Sequence, residues 1–175
     1  FFAGNLQAAI DDLEEKGVGF AAVIVDTIFS SDGIFADPPV FLKAAVELAH
    51  KAGGLFIADE VQPGFGRTGG GLWGFSRYGI VPDVVTMGKP MGNGFPMAGV
   101  VTRPDLLSLF CEETGYFNTF GGNPVAAAAG AAVLGVIERE WLIDNARDVG
   151  AYFKSGLTQV MGNRRDIGAV RGAGL

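Results

Sequence analysis

The sequence predicts an α/β fold, a mostly parallel sheet flanked by helices. Three observations predict it. Short apolar runs of strand length recur at 20–25, 55–58 and 84–86, and such runs suit strands buried in a parallel sheet. Between the first two lies a stretch with helical spacing, a βαβ pattern that calls for a right-handed crossover. The 28 glycines cluster at the ends of these runs rather than in a repeat, so they mark tight loops and not low complexity.

The elements follow in order. Leu6, Ala9, Ile10 and Leu13 have helical spacing, with Asp11, Asp12, Glu14 and Glu15 opposite, which predicts an amphipathic helix ended by Gly17 and Gly19. The run 20–25 reads as a parallel strand buried on both faces, with Asp26 at its end. Pro38 and Pro39 open a helix that turns Phe41, Ala44, Ala45, Leu48 and Ala49 to one side, and Gly53-Gly54 stops it. Strands follow at 55–58, 84–86 and 97–101, and a short helix at 104–110. An alanine-rich helix is expected at 124–138, its small residues allowing close packing on both sides. A longer amphipathic helix is expected at 141–160. Residues 1–140 read as part of one large domain, and 141–175 as a connecting helix and the start of a small C-terminal domain. Phe1-Phe2 is not a natural start, and 170–175 reads as a strand just begun. The chain is expected to be an internal piece of a longer polypeptide.

Composition narrows the function classes. At 175 residues one domain with a core is possible. A formal charge of −6 argues against nucleic acid or an anionic membrane as partner. No run of 18 apolar residues and no charged-then-apolar leader is visible. Cys111 is the only cysteine, which excludes an internal disulfide and suits a reducing compartment; a cytoplasmic location is expected. His50 is the only histidine and sits near a helix end, where a structural role is the ordinary one. One histidine and one cysteine cannot build a zinc site, so no metal is expected.

Chemistry concentrates in residues 55–94. Asp59 and Glu60 follow the second apolar run directly, and Lys89 follows the third, between Gly88 and Pro90. Ligands of open α/β sheets bind beyond the carboxyl ends of strands, which is where Asp59 and Lys89 fall. Of the five lysines, Lys16 and Lys51 lie near helix C-termini, and Lys43 and Lys154 fall within helices, on polar faces. Only Lys89 sits at a strand end among glycines. A lysine amine and a carboxylate aimed at one cleft are what pyridoxal phosphate needs, the amine to form the Schiff base and the carboxylate to keep the pyridine nitrogen protonated.

Four separated motifs carry a resemblance: Ile57-Ala58-Asp59-Glu60-Val61-Gln62, Gly64-Phe65-Gly66-Arg67-Thr68-Gly69, Pro82-Asp83 with Thr86-Met87-Gly88-Lys89, and Asn118-Thr119-Phe120-Gly121-Gly122-Asn123-Pro124. In these the sequence resembles the class III aminotransferases, pyridoxal-phosphate enzymes of fold type I. It resembles most the branch holding alanine–glyoxylate aminotransferase 2 and the ethanolamine-phosphate phospho-lyases. The resemblance implies that the chain is part of the large domain of a fold type I transferase. It implies pyridoxal 5'-phosphate as cofactor, with Lys89 as the catalytic Schiff-base residue. Asp59 is then the partner of the ring nitrogen, Gln62 reaches the ring hydroxyl, and Thr119 holds the cofactor phosphate of the neighbouring subunit in a homodimer with shared active sites. The expected reaction moves an amino group from a small amino donor to a keto acid or aldehyde acceptor. The alternatives are a phospho-lyase acting on an amino alcohol phosphate, and a non-catalytic fragment.

Each residue also has a plainer reading. Asp59 alone is a strand-end cap, and Gln62 an ordinary loop glutamine. Thr119 alone is a helix cap, for which Asn123 is the better candidate. Glu60 points away from Asp59 if strand geometry persists, and its expected role is structural. Asp26-Thr27 departs from the family, which often has Glu-Pro there and uses that glutamate to pair a substrate-handling arginine. Gly64 to Gly69 spells the dinucleotide fingerprint, yet no helical pattern opens at Gly69, as that motif requires.

Overall fold

The computed structural model describes residues 1–38 and 40–175. Helix α1 (Phe2–Glu15) leads into strand β1 (Ala22–Asp26), helix α2 (Phe41–Lys51) and strand β2 (Leu55–Asp59). A short 3-10 helix (Gly74–Tyr78) precedes strand β3 (Val84–Met87), and a second one (Lys89–Gly92) precedes strand β4 (Gly99–Thr102). Helices α3 (Pro104–Glu113), α4 (Pro124–Arg139) and α5 (Leu142–Met161) complete the order. The four strands form one sheet in the order β1-β2-β3-β4. The first three are parallel, and β4 runs antiparallel to β3. The expected α/β class with a mostly parallel sheet is what the chain adopts.

Each helix ends where its residues dictate. Gly17 takes φ +66° just after α1 and Gly53 takes φ +78° just after α2, a left-handed turn that glycine makes without steric cost. Asn123 caps α4, its side-chain oxygen accepting from the Ala126 amide at 2.9 Å. Trp141, at φ +52°, breaks the chain between α4 and α5. The start expected at Pro38-Pro39 falls instead at Phe41; Pro39 lies outside the described residues.

The core forms on one face of the sheet. Val25, Ala58 and Val85 occupy adjacent register positions on β1, β2 and β3 and are all buried. Phe56, Leu42, Val46, Tyr78 and Ile80 pack with Val25 and Ala58. Burying one such side chain stabilises the fold by about 1.5–3 kcal/mol. Helix α2 buries Leu42, Ala45, Val46 and Ala49, one position round from the expected face, and Ala44 is exposed. Phe41 instead joins an aromatic group with Phe2, Phe29 and Tyr78, at centroid distances of 5.6–5.9 Å.

Two further expectations are corrected. Within this chain strand β1 is buried on one face only: Val25 is buried, and Ile24 is 59% exposed. An unbroken apolar run reports that a strand is apolar, not that both faces are covered. Residues 170–175 form no strand. They lie as a tail against the Gly64–Gly69 loop, with the Leu175 amide donating to the Arg67 carbonyl at 3.0 Å.

Asp83 ties the opposite end of the sheet together. It accepts from the Phe56 amide at 2.8 Å, from His50 through Nε2 at 2.8 Å, and from the Arg103 guanidinium. Its burial alone would raise the carboxyl pKa, but the Phe56 amide, His50 and Arg103 outweigh that and hold it below the ordinary value. His50 is thus structural, as expected.

Candidate active site at the carboxyl edge of the sheet

The parallel register places Asp26, Asp59 and Thr86 in one row across the carboxyl ends of β1, β2 and β3. Lys89 follows three residues beyond Thr86. It stands at the first position of the 3-10 helix with φ +30°, a backbone state that costs a non-glycine residue about 1–3 kcal/mol and concentrates at functional sites. Helix α4 packs on this 3-10 helix. The approach is close because Gly130 faces the Met97 side chain: a Cβ on Gly130 would lie 2.9 Å from Met97 Cε. That contact requires glycine at position 130.

Asp59 makes one hydrogen bond among the described residues, accepting from the Val61 amide through Oδ1 at 3.0 Å. Its Oδ2 has no partner among the described residues. Lys89 and Gln62 are exposed and line one cavity of about 670 Å³, with Arg67, Thr68, Lys154 and Arg171 also in its wall. Asp59 belongs to the same sheet edge but does not line this cavity. Thr119 is brought to none of these. It lies exposed on the loop before α4, where the Asn118 side chain accepts from the Phe120 and Gly121 amides at 3.2 and 2.9 Å. The cap of α4 is Asn123, not Thr119.

Adjacent residues of β2 have opposite fates. Phe56, Ala58 and Glu60 are all fully buried, while Leu55, Ile57 and Asp59 are half-buried, so the period of two runs on past the strand end. The Glu60 carboxylate accepts from the Gly74 amide at 2.6 Å, the Phe75 amide at 2.9 Å and the Thr27 hydroxyl at 2.9 Å. Burial pushes its pKa up in spite of these donors. The structural role expected for Glu60 holds. Asp26 caps a turn, accepting from the Ile28 and Ser30 amides at 3.0 Å each and from the Ser30 hydroxyl.

Sequence reasoning missed three members of this region. Thr27 is fully buried, its carbonyl taking the Tyr78 hydroxyl at 2.6 Å. Thr68 is 5% exposed. Lys154 does not stay on a polar helix face. It reaches Asp37 at 2.9 Å and the Gly172 carbonyl at 3.1 Å, because α5 turns that side of itself to the cavity. The one available signal was helical spacing, which puts Lys154 one turn from Gly150, a residue of the same wall. The Gly64–Gly69 segment opens no helix, so the dinucleotide fingerprint stays a coincidence of spelling.

Comparison with known proteins bears on the family and the fold. The family model described as aminotransferase class-III matches residues 4–175. An Arabidopsis thaliana protein named alanine–glyoxylate aminotransferase 2 homolog 2, mitochondrial, is 52% identical over 168 residues, which is 95% of this chain and 35% of that protein. The ethanolamine-phosphate phospho-lyase homolog 1 of Caenorhabditis elegans is 39% identical over 99% of this chain and 38% of its own length. Among solved structures, an Arthrobacter phospholyase in complex with phosphoethanolamine superposes with a TM-score of 0.93 at 42% identity, covering 99% of this chain and 41% of that one. The Toxoplasma gondii ornithine aminotransferase, described with partial occupancy of PLP at its active site, superposes with a TM-score of 0.88 at 32% identity over 99% of this chain and 39% of that one. The chain thus spans little more than a third of the curated relatives it matches, and it belongs to the class III aminotransferase family.

Proposed function

We propose that the complete protein is a pyridoxal-phosphate-dependent aminotransferase that moves an amino group from a small amine or amino acid to a keto acid or aldehyde. The observation that carries this reading is the sheet edge: a carboxylate at the end of β2 and a lysine just past the end of the adjacent β3. The donor set fits the cofactor. Asp59 keeps Oδ2 without a partner among the described residues, and Lys89 stands exposed on a strained backbone. When bound, pyridoxal phosphate supplies an electron sink for charge developing on the carbon that bears the amine. Asp59 holds the proton on the ring nitrogen. Lys89 Nζ would be the covalent attachment point and, once free, the group that carries a proton between the substrate carbon and the cofactor carbon, as base and then acid. Gln62 orients the ring hydroxyl. Thr119 serves the cofactor phosphate of the neighbouring subunit in a homodimer, which accounts for its distance from this chain's own cavity.

A second reading is favoured by one observation, the TM-score of 0.93 to an Arthrobacter phospholyase. In it the same residues promote loss of phosphate from an amino alcohol phosphate. The test gives the complete protein an amino alcohol phosphate with and without a keto acid. Amino transfer that requires the acceptor supports the first reading. Inorganic phosphate released without an acceptor supports the second.

For compartment, the single free and exposed Cys111 supports the cytoplasm. The word mitochondrial in the name of the Arabidopsis relative sets that organelle beside it, and fractionation of the complete protein decides. Among the described residues no helix is long and apolar enough to cross a membrane.

A further inference from the structure

The departure at Asp26-Thr27 has a use in the fold. Asp26 and Asp59 stand in register at the ends of β1 and β2, and Thr27 and Glu60 are the residues that follow them. Both are fully buried, and the Thr27 hydroxyl donates to Glu60 Oε1 at 2.9 Å. This bond closes β1 on β2 just beyond the ladder. Glu60 extends the link to two more segments. Its carboxylate accepts from the Gly74 and Phe75 amides at 2.6 and 2.9 Å, and its own amide donates to the Thr86 carbonyl of β3 at 2.8 Å. Thr27 is held in turn through its carbonyl, which accepts from the Tyr78 hydroxyl at 2.6 Å. The ends of β1, β2 and β3 and the Gly74–Tyr78 helix therefore meet at one buried pair.

The packing is shaped around this contact. A Cβ on Gly74 would collide with Thr27 Oγ1 and with the Pro63 ring, so only glycine at position 74 leaves the threonine oxygen its place. Proline at position 27, as in a Glu-Pro pair, has no hydroxyl and could not make the bond. Burial raises the Glu60 pKa, and the Gly74 and Phe75 amides and the Thr27 hydroxyl oppose that rise. Among these donors only Thr27 is a side chain, so it is the one a substitution removes without touching the backbone.

Asp59 needs such a support. Its one donor among the described residues is the Val61 amide of its own turn, at 3.0 Å. Its place is set by the backbone at 59–60, which is the backbone that the Glu60 bonds fix. A displacement of about 1 Å at a reacting group can cost about 100-fold in rate.

We infer that Thr27 and Glu60 are positioning residues for Asp59: their buried hydrogen bond holds the end of β2 so that the Asp59 carboxylate meets the ring nitrogen of the cofactor. This rests on the reading of Asp59 proposed above. It goes beyond that reading by giving a part in the chemistry to two residues that act only through a third.

The test is a double-mutant cycle in the complete protein: wild type, Thr27→Val, Asp59→Asn and the two together, with Thr27→Ser as the conservative variant. Two quantities are read, the single-turnover rate with saturating amino donor and the dissociation constant of pyridoxal 5'-phosphate for the apoprotein. A thermal melt checks folding. With Asp59 present, Thr27→Val is expected to lower the rate and weaken cofactor binding, each about 10-fold, the scale of coupling within one hydrogen-bond network. With Asp59→Asn it should change neither by more than about 2-fold, because the carboxylate it positions is gone. Thr27→Ser keeps the hydroxyl and should keep most of both. Equal losses in the two backgrounds overturn the inference and leave the Thr27–Glu60 bond purely structural. So does a Thr27→Val with wild-type values, or a Thr27→Ser as impaired as Thr27→Val. Wild-type rate and affinity in Asp59→Asn remove the parent reading of Asp59 and the inference with it, so the two failures are told apart. If Thr27→Val does not fold, Thr27→Ala against Thr27→Ser gives the same comparison.

Discussion

Asp59→Asn changes charge with almost no change of shape, which makes it the sharpest probe of the site. The fold depends little on the charge. Asp59 is half-buried, and its one hydrogen bond among the described residues is from the Val61 amide to Oδ1 at 3.0 Å. Asparagine keeps an oxygen there, so the stability cost should stay below about 1 kcal/mol. The other oxygen, Oδ2, becomes an amide NH2. A donor then stands where the proposed chemistry needs a carboxylate, and a neutral partner cannot hold the ring nitrogen protonated. Removing one well-placed electrostatic group costs about 100-fold or more in rate, or about 2.7 kcal/mol. The assay is a single-turnover reaction of the complete protein with saturating amino donor, followed by cofactor absorbance, beside a thermal melt. Asp59→Ala is the control, because it loses the turn bond as well as the charge. A rate near wild type in Asp59→Asn would refute the reasoning and reduce Asp59 to a cap.

Three further outcomes are expected. Borohydride reduction of the complete protein and peptide mapping should place the pyridoxyl group on Lys89; label on another lysine ends that assignment. Mixing inactive Lys89→Ala and Thr119→Ala subunits should restore activity, since a shared-site hybrid puts both lesions in one site and leaves the other intact; hybrids that form without activity show that Thr119 acts within its own chain. Asp83→Asn should destabilise the protein by about 1–3 kcal/mol near neutral pH, because its amide nitrogen meets donors. The folded pKa of Asp83 is depressed below the ordinary 3.8, so its charge contributes stability above that pH and loses it as pH falls through the folded value. The stability gap between wild type and variant should therefore hold from neutral pH down to about pH 4 and shrink below it; a gap that widens on acidification contradicts this.

How much was legible in the sequence follows the range of the interactions. Short-range chemistry was readable: the glycine stops of α1 and α2, the Asn123 cap, and the apolar runs whose ends carry Asp59 and Lys89. The missed features need partners far along the chain. Glu60 finds Thr27 33 residues back and the Gly74 and Phe75 amides 14 and 15 residues on. Lys154 finds Asp37 117 residues away. Helical spacing gave α2 an apolar face but not its rotation, which the Phe41 cluster decides. Thr119 is the converse case. Its motif was visible, but its proposed partner is not in this chain, and the structure brings it to no cavity beside Lys89.

The neighbours Asp59 and Glu60 show how the fold prepares the edge. A period of two must send adjacent carboxylates to opposite faces. On the covered face, Glu60 continues the row of Phe56 and Ala58 and is locked by three donors from two other segments. On the other face, Asp59 continues the row of Leu55 and Ile57. Ile57 pairs in register with Ile24, itself 59% exposed, so this is the face of the sheet that this chain leaves uncovered. The lock on Glu60 fixes the end of β2 against Thr27 and the Gly74–Tyr78 helix. Asp59 is the residue just before that anchor, and it is held in position by backbone alone while its Oδ2 stays free. A site assembled this way has a rigid support on one side of the strand and an available carboxylate on the other. The same pattern explains why the two acids cannot exchange roles. Glu60 would lose three donors by turning outward, and Asp59 would lose the Val61 amide by turning inward.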